Sequence, residues 1–327
     1  MDREHTPVMT REVLEYLDCR PGGTYVDGTL GGGGHAREIL EATGPDGRLV
    51  GIDRDGDALK EAGALLEPYG KRALLVREDF REIKRVLADL GIGTVDGMVL
   101  DLGVSSYQLE SPERGFSFRH DARLDMRMDT RQELSAYDLV NGLSAEDLER
   151  IFRDYGEERA ARRIARAIEK KRGEGPITTT DELAGIVAGA AWRAGGKGGK
   201  RGRGARGRGG AAKRKIHPAT RVFQALRIAV NDELESLKAG LTDGIEALGS
   251  GGRMVVISFH SLEDRIVKNC FRDLWRGCVC PPEVPVCVCG KEPSLRLLTK
   301  RVVFPSDAEV ERNPRARSAR FRAAEKI

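Results

Sequence analysis

Four consecutive glycines follow a short β-type run in Thr24-Tyr25-Val26-Asp27-Gly28-Thr29-Leu30-Gly31-Gly32-Gly33-Gly34-His35, and Gly51-Ile52-Asp53 comes one strand later. Glycine turns at positive φ and lets backbone amides approach a ligand with no Cβ in the way, and an acid ending the next strand suits a ribose diol. Strand, turn and acid in register describe a nucleotide pocket in an α/β fold. The bland alternative is a flexible turn flanked by solvated acids.

Charge narrows the choice of nucleotide. Gly31-x-Gly33-x-x-Ala36 satisfies the dinucleotide fingerprint, with Asp53 at about the expected ~20 residues, so an NAD-dependent oxidoreductase is one reading. Asp27, however, stands at the mouth of the loop, where a pyrophosphate needs neutral amides or a cation, and no lysine or arginine offsets it before Arg37. S-adenosylmethionine carries an ammonium, a sulfonium and a ribose diol but no phosphate, and acids at Asp27 and Asp53 suit it. Glu78-Asp79-Phe80, after the apolar run Ala73 to Val76, adds carboxylates and an aromatic where an adenine ring should lie.

Five β-type segments alternate with helical patterns: Thr24 to Asp27, Arg48 to Asp53, Ala73 to Val76, Val95 to Asp101 and Arg253 to His260. Helices are expected near His35 to Ala42, Asp57 to Leu66 and Arg81 to Leu90, which makes a parallel α/β sheet. The interval from Asp101 to Arg253 far exceeds a crossover and carries helix signals. Ser144-x-x-Asp147 and Thr179-x-x-Glu182 read as capping pairs, each ahead of an apolar stripe. The expected organisation is a sheet domain over 1–108, an inserted all-helical domain over 109–215, and the rest of the sheet domain over 216–327. His217, before a proline, reads as a boundary or cap residue.

The 327 residues suffice for one large core or two domains. Met1 to Leu17 holds no apolar signal core and no run reaches about 18 apolar residues, which points to a cytoplasmic protein without membrane association. The net charge of +4 hides an asymmetry, because Arg193 to Lys215 holds ten Lys or Arg and no acid. That Gly/Arg-rich tract has too little apolar content to pack and is expected to be disordered. It reads either as an arm contacting RNA phosphates or as a solubilising loop.

Asp101-Leu102-Gly103-Val104-Ser105-Ser106-Tyr107-Gln108 follows the fourth strand and places polar groups at the ligand-binding edge of the sheet. An amine conjugated to a nucleobase is a poor nucleophile. Asp101, Ser105 and Ser106 are candidates to orient such an amine and accept its proton, although either serine also suits a simple cap. At the end of the fifth strand, His260 is a further catalytic candidate, while Ser261 with Asp264 reads as a capping pair. Cys278-x-Cys280-x6-Cys287-x-Cys289 gathers four thiols. In a reducing compartment they suit a zinc site better than two disulfides, the alternative being a proline-braced loop of thiols. Cys19 and Cys270 read as ordinary buried residues.

With these residues assembled, the chain resembles the bacterial 16S rRNA cytosine-N4 methyltransferases, the RsmH or MraW family. The likeness runs through HTPVMTREVLEYL at His5, DGTLGGGGH at Asp27, GIDRD at Gly51, DGMVLDLGVSSYQL at Asp96, RGFSF at Arg114, LDMRMD at Leu124, YGEERAARRIARAI at Tyr155, HPATRVFQALRIAVNDEL at His217, ISFHSLEDRIVK at Ile257 and NPRAR at Asn313. It implies a class I, Rossmann-like methyltransferase sheet with an inserted helical domain, S-adenosylmethionine as donor, and a cytidine of the small-subunit decoding centre as acceptor. By position it puts cofactor contacts on Gly33, Gly34, His35, Asp53, Phe80, Asp101 and Gln108. The Gly/Arg-rich tract departs from the family's usual compactness. A non-enzymatic RNA-binding assembly factor remains a competing reading, and the oligomeric state, a homodimer included, stays open.

Overall fold

The computed structural model describes residues 7–192, 217–278, 280, 286 and 289–327. The Gly/Arg-rich tract 193–215 and Cys287 therefore lie outside the described residues. The chain divides into two compact units, one of Met1–Tyr107 with Glu233–Ile327 and one of Gln108–Asp232.

The first unit is built on a seven-stranded sheet of β1 (Thr24–Asp27), β2 (Arg48–Asp53), β3 (Ala73–Arg77), β4 (Val95–Asp101), β5 (Leu248–Ser258), β6 (Leu295–Leu297) and β7 (Arg320–Lys326). Their spatial order is β3-β2-β1-β4-β5-β7-β6. The five expected strands form the parallel part, with β1 paired to both β2 and β4. Two further strands were not foreseen: β7 runs antiparallel between β5 and β6. The result is an α/β sheet of class I, Rossmann-like type.

Helices cover both faces, so successive strand residues are buried on opposite sides and the strands read as continuous apolar runs. Val26, Val50, Met98, Leu100, Met254 and Val256 pack in one core cluster, with residues of helices Ile83–Asp89, Glu233–Ala247 and Ser261–Arg276. Tyr25, Leu49, Val99, Val255, Ile257 and Phe321 pack in the other, with helices Thr10–Leu17, Gly34–Ala42 and Gly56–Leu66. Helix Glu233–Ala247 lies close to its neighbours because two of its residues lack side chains. A Cβ on Gly240 would stand 2.4 Å from the Phe80 ring, and one on Gly244 would stand 2.7 Å from Met98 Sδ.

In the second unit, helices Ala136–Gly142, Ala145–Asp154, Ala161–Arg172, Thr180–Trp192 and Ala219–Asn231 bury the stripes that the sequence marks, among them Leu148, Phe152, Ile164, Ile168, Leu183 and Val187. Ser144 Oγ accepts the Asp147 N–H at 3.1 Å, and Thr179 Oγ1 accepts that of Glu182 at 3.4 Å, so both capping pairs form. Ser144→Ala is expected to cost about 1 kcal/mol, measurable by urea unfolding. His217 Nδ1 accepts the Ala219 N–H at 3.2 Å at the start of the last helix of this unit. That helix packs on its three neighbours Ala136–Gly142, Ala145–Asp154 and Thr180–Trp192. The sequence reading begins the sheet domain again at 216. The buried Val222, Ala225, Leu226 and Ile228 instead carry the helical unit on to Asp232, where a left-handed residue (φ 49°, ψ 38°) breaks the chain direction. Among the described residues, no helix is long and apolar enough to cross a membrane.

Candidate active site

The strand order reverses between β1 and β4, and at such a switch point an open α/β sheet forms a crevice outside its carboxyl edge. Asp27 ends β1, Asp53 ends β2 and Asp101 ends β4, so three carboxylates converge on one edge. Between them runs the glycine turn. Gly33 adopts φ 83° and precedes helix Gly34–Ala42, and a Cβ on it would meet Ala62 Cβ at 3.2 Å. A Cβ on Gly28 would collide with Leu100 Cδ2 at 2.5 Å. A side chain at either position would strain the turn, whose own amides hold it closed: the Gly28 N–H donates to Val99 O at 3.0 Å and the Gly33 N–H to Leu30 O at 2.8 Å.

Asp53 anchors this turn. Its Oδ2 accepts the Gly31 N–H at 2.8 Å and its Oδ1 accepts the Asp55 N–H at 2.8 Å. Burial raises its pKa while these two amides oppose the rise. A carboxylate offers about four lone-pair sites, so it retains acceptor capacity for a ribose diol.

Asp27 is 1% exposed. Its Oδ1 accepts the Thr29 N–H at 3.2 Å, but its buried Oδ2 has no hydrogen-bond partner. Burial pushes this carboxyl up to about 7, against the pull of His35 and the Thr29 amide. His35 is equally buried, with Nε2 3.5 Å from Asp101 Oδ2 and no hydrogen bond at either ring nitrogen. Burial disfavours the imidazolium, but Asp101, with Asp27 behind it, outweighs that effect and raises the His35 pKa. The Asp101 backbone N–H is fixed by Thr29 Oγ1 at 2.6 Å, whereas its buried Oδ1 has no partner. Buried polar atoms without partners are rare and mark places where something else binds. Four such atoms, on Asp27, His35 and Asp101, belong to this sheet edge, and the two carboxylate oxygens among them favour a cation.

The other expected site residues are placed as follows. Phe80 belongs to the core, 9% exposed with its ring against Gly240, so only an edge remains for a planar ligand. Glu78 and Asp79 are taken up by cations, Glu78 by Arg85 at 2.6 Å and Asp79 by Arg54 at 3.2 Å. Ser105 is half-buried in the turn after β4, and Ser106 opens the short helix Ser106–Glu110. Gln108 is buried but belongs to the second unit.

At the end of β5 the capping pair is shifted by one residue from the expected Ser261 and Asp264. His260 is extended (φ −136°, ψ 167°) and is the N-cap of helix Ser261–Arg276, while Glu263 closes the capping box. Glu263 Oε2 accepts the N–H groups of Phe259 at 2.8 Å and of His260 at 3.2 Å. The imidazole Nε2 stands 3.0 Å from Glu263 Oε1, so the His260 ring is tied to its own helix. Glu233, which the sequence reading overlooked, joins them. Its carboxylate, one His260 nitrogen and a Glu263 oxygen all lie within 4.8 Å of one another. The only sequence signal was an acid following the helix break at Asp232.

Cys19 and Cys270 are half-buried against the two core clusters, and burial raises their thiol pKa values to about 12 and about 11. They are poor nucleophiles. Cys278, Cys280 and Cys289 lie together, away from the three strand-end carboxylates, in the segment after helix Ser261–Arg276.

Comparison with known proteins accords with this geometry. The model of the MraW methylase family matches residues 2–327. The ribosomal RNA small subunit methyltransferase H of Geobacter sulfurreducens is 57% identical over 327 residues, covering 100% of both chains. That of Geotalea daltonii is 55% identical over 326 residues, covering 100% of this chain and 99% of its own. Among solved structures, an rRNA methylase from Streptococcus thermophilus aligns with a TM-score of 0.40 at 9% identity, covering 97% of this chain and 93% of that one. A match that runs the length of the chain leaves one conclusion, that this chain belongs to the MraW methylase family.

Proposed function

We propose that the protein is a cytoplasmic S-adenosylmethionine-dependent methyltransferase that modifies the exocyclic N4 of a cytidine in the decoding centre of 16S rRNA. The observation that carries this reading is the pair of carboxylates, Asp27 and Asp101, each with a buried oxygen lacking a partner beside a glycine turn. That donor set fits a ligand with positive charge and a ribose but no phosphate. Asp53 would hold the ribose hydroxyls, the turn at Gly33 and Gly34 would lie against the ligand, and Asp27, with His35, would face its cationic end. Phe80 would border the adenine. Bound there, S-adenosylmethionine supplies a methyl group activated by a positively charged sulfur.

Asp101 is the residue placed to handle the acceptor. It accepts a hydrogen bond from the exocyclic amine, turns the nitrogen lone pair toward the methyl group, and takes up the proton that the amine loses. Ser105 supplies a further polar group in the segment after β4. His260 with Glu233 and Glu263 acts as a positioning cluster, setting the end of β5 against the turn after β4, where Phe259 lies 3.7 Å from a Cβ built on Gly103. Methylation at ring carbon five normally needs a cysteine that adds to the base. Among the described residues, Cys19 and Cys270 are held as thiols in the core, which supports direct displacement by the amine. The base must leave its stack to reach such a crevice.

The test is donor-labelled methylation of small ribosomal subunits lacking the modification, followed by mass spectrometry of the nucleosides. N4-methylcytidine is expected, and 5-methylcytidine would overturn the mechanism. Cys270→Ser is expected to leave turnover largely unchanged.

Donor binding should also report the state of Asp27. Its folded pKa of about 7 lies above the ordinary carboxylate value, so the ligand-free protein retains a proton that the unfolded chain loses. This group's contribution to stability is therefore present at low pH and is lost as pH rises from the carboxylate range through about 7. A cation in the pocket favours the ionised form. The donor dissociation constant is thus expected to fall as pH rises toward about 7.5, with a weaker dependence in Asp27→Asn. Identical calorimetric profiles for the two proteins would remove Asp27 from the pocket.

A further inference from the structure

We propose that Cys278, Cys280 and Cys289 are ligands of a structural zinc ion. Their Sγ atoms all lie within 4.8 Å of one another. Sulfurs bound at about 2.3 Å around one tetrahedral zinc stand about 3.8 Å apart, so the three need only small adjustments to share an ion. They come from both limbs of one excursion of the chain: Cys278 and Cys280 leave helix Ser261–Arg276, and Cys289 returns toward β6.

The neck of that excursion is built for close contact. Gly277 has φ 66°, and a Cβ there would stand 2.4 Å from the Glu292 carbonyl carbon and 2.5 Å from Pro293 N. The Ser294 N–H donates to Leu274 O at 3.0 Å across the same neck. Beyond the neck the sequence from Cys278 to Cys289 offers only valines as aliphatic side chains, together with three prolines, and Val286 is 71% exposed. A segment without a core of its own is commonly held by a metal or by disulfides. Three mutually close sulfurs are one more than a disulfide uses, and a reducing compartment favours the metal. Three thiolates leave the fourth tetrahedral position of the ion to a ligand other than these residues. Arg276 and Lys291 flank the set in sequence and offset the charge of a thiolate-rich site.

Metal content of the full-length protein, purified under reducing conditions without added zinc or a metal-affinity tag, tests the assignment. About one zinc per chain is expected by mass spectrometry of the metals. The double variant Cys278→Ser with Cys289→Ser is expected to lose the zinc and to be cleaved faster by protease within 277–292. Zinc-free protein with fully reactive thiols, disulfides among these cysteines, iron in place of zinc, or zinc retained by the double variant would each overturn the proposal. Should the double variant not fold, cobalt exchange into the unaltered protein decides the matter. Intense thiolate-to-cobalt absorption is expected, and its absence refutes the site.

Discussion

Asp101→Ala is expected to lower turnover by about 10²–10⁴-fold, the scale of losing a positioned proton acceptor. The fold should survive. The carboxylate contributes a 3.5 Å ion pair with His35 and one buried oxygen without a partner, while the strand is anchored by the Asp101 backbone N–H to Thr29 Oγ1, which alanine retains. Breaking the pair costs little where His35 can give up its proton and stay buried as a neutral imidazole. The His35 pKa should fall, because its strongest upward influence is gone. Single-turnover kinetics on small subunits with saturating donor isolates the chemical step, and an unchanged rate there would exclude Asp101 from the reaction.

Asp53→Ala is expected to weaken donor binding by about 1–3 kcal/mol, the scale of hydrogen bonds to a charged group. Two losses add in this variant: the ribose hydroxyls lose their acceptor, and the amides of Gly31 and Asp55 lose theirs. The turn should therefore loosen even before ligand binds, and hydrogen exchange at Gly31 should accelerate. Calorimetry with S-adenosylmethionine gives the affinity. A wild-type dissociation constant would refute the pocket.

The parallel half of the sheet was legible because β1, β2 and β4 are apolar runs ended by an acid, the form taken by strands buried on both faces. β7 escaped because Arg320, Arg322, Glu325 and Lys326 make it read as surface. Two of these charges are in fact paired, Arg322 with Asp264 at 2.6 Å and Glu325 with Arg253 at 3.1 Å, while Phe321, Ala323 and Ala324 fill the core. At the site, acids at Asp27 and Asp53 were readable as a cation-tolerant nucleotide pocket from position alone. The approach of His35 to Asp101 was not, since it depends on a helix start and a strand end meeting across the sheet edge. Glu233 was missed for the same reason. The capping pair at the end of β5 was set one residue late, at Ser261 and Asp264, which hid the part of His260 in the capping box. The oxidoreductase and non-enzymatic readings, both open from the glycine turn alone, give way to membership of a methylase family.

The place of β7 within the sheet governs the order in which the protein can be assembled on the ribosome. It follows the other six strands in sequence, yet it occupies an interior position between β5 and β6. Until residues 320–326 emerge, β5 presents an unpaired edge, the kind of surface that invites pairing with another chain. The nascent chain must hold that edge open for the whole time taken to translate the segment after β5. Loss of residues 320–326 would leave it open for good, turning the removal of one short strand into an aggregation defect.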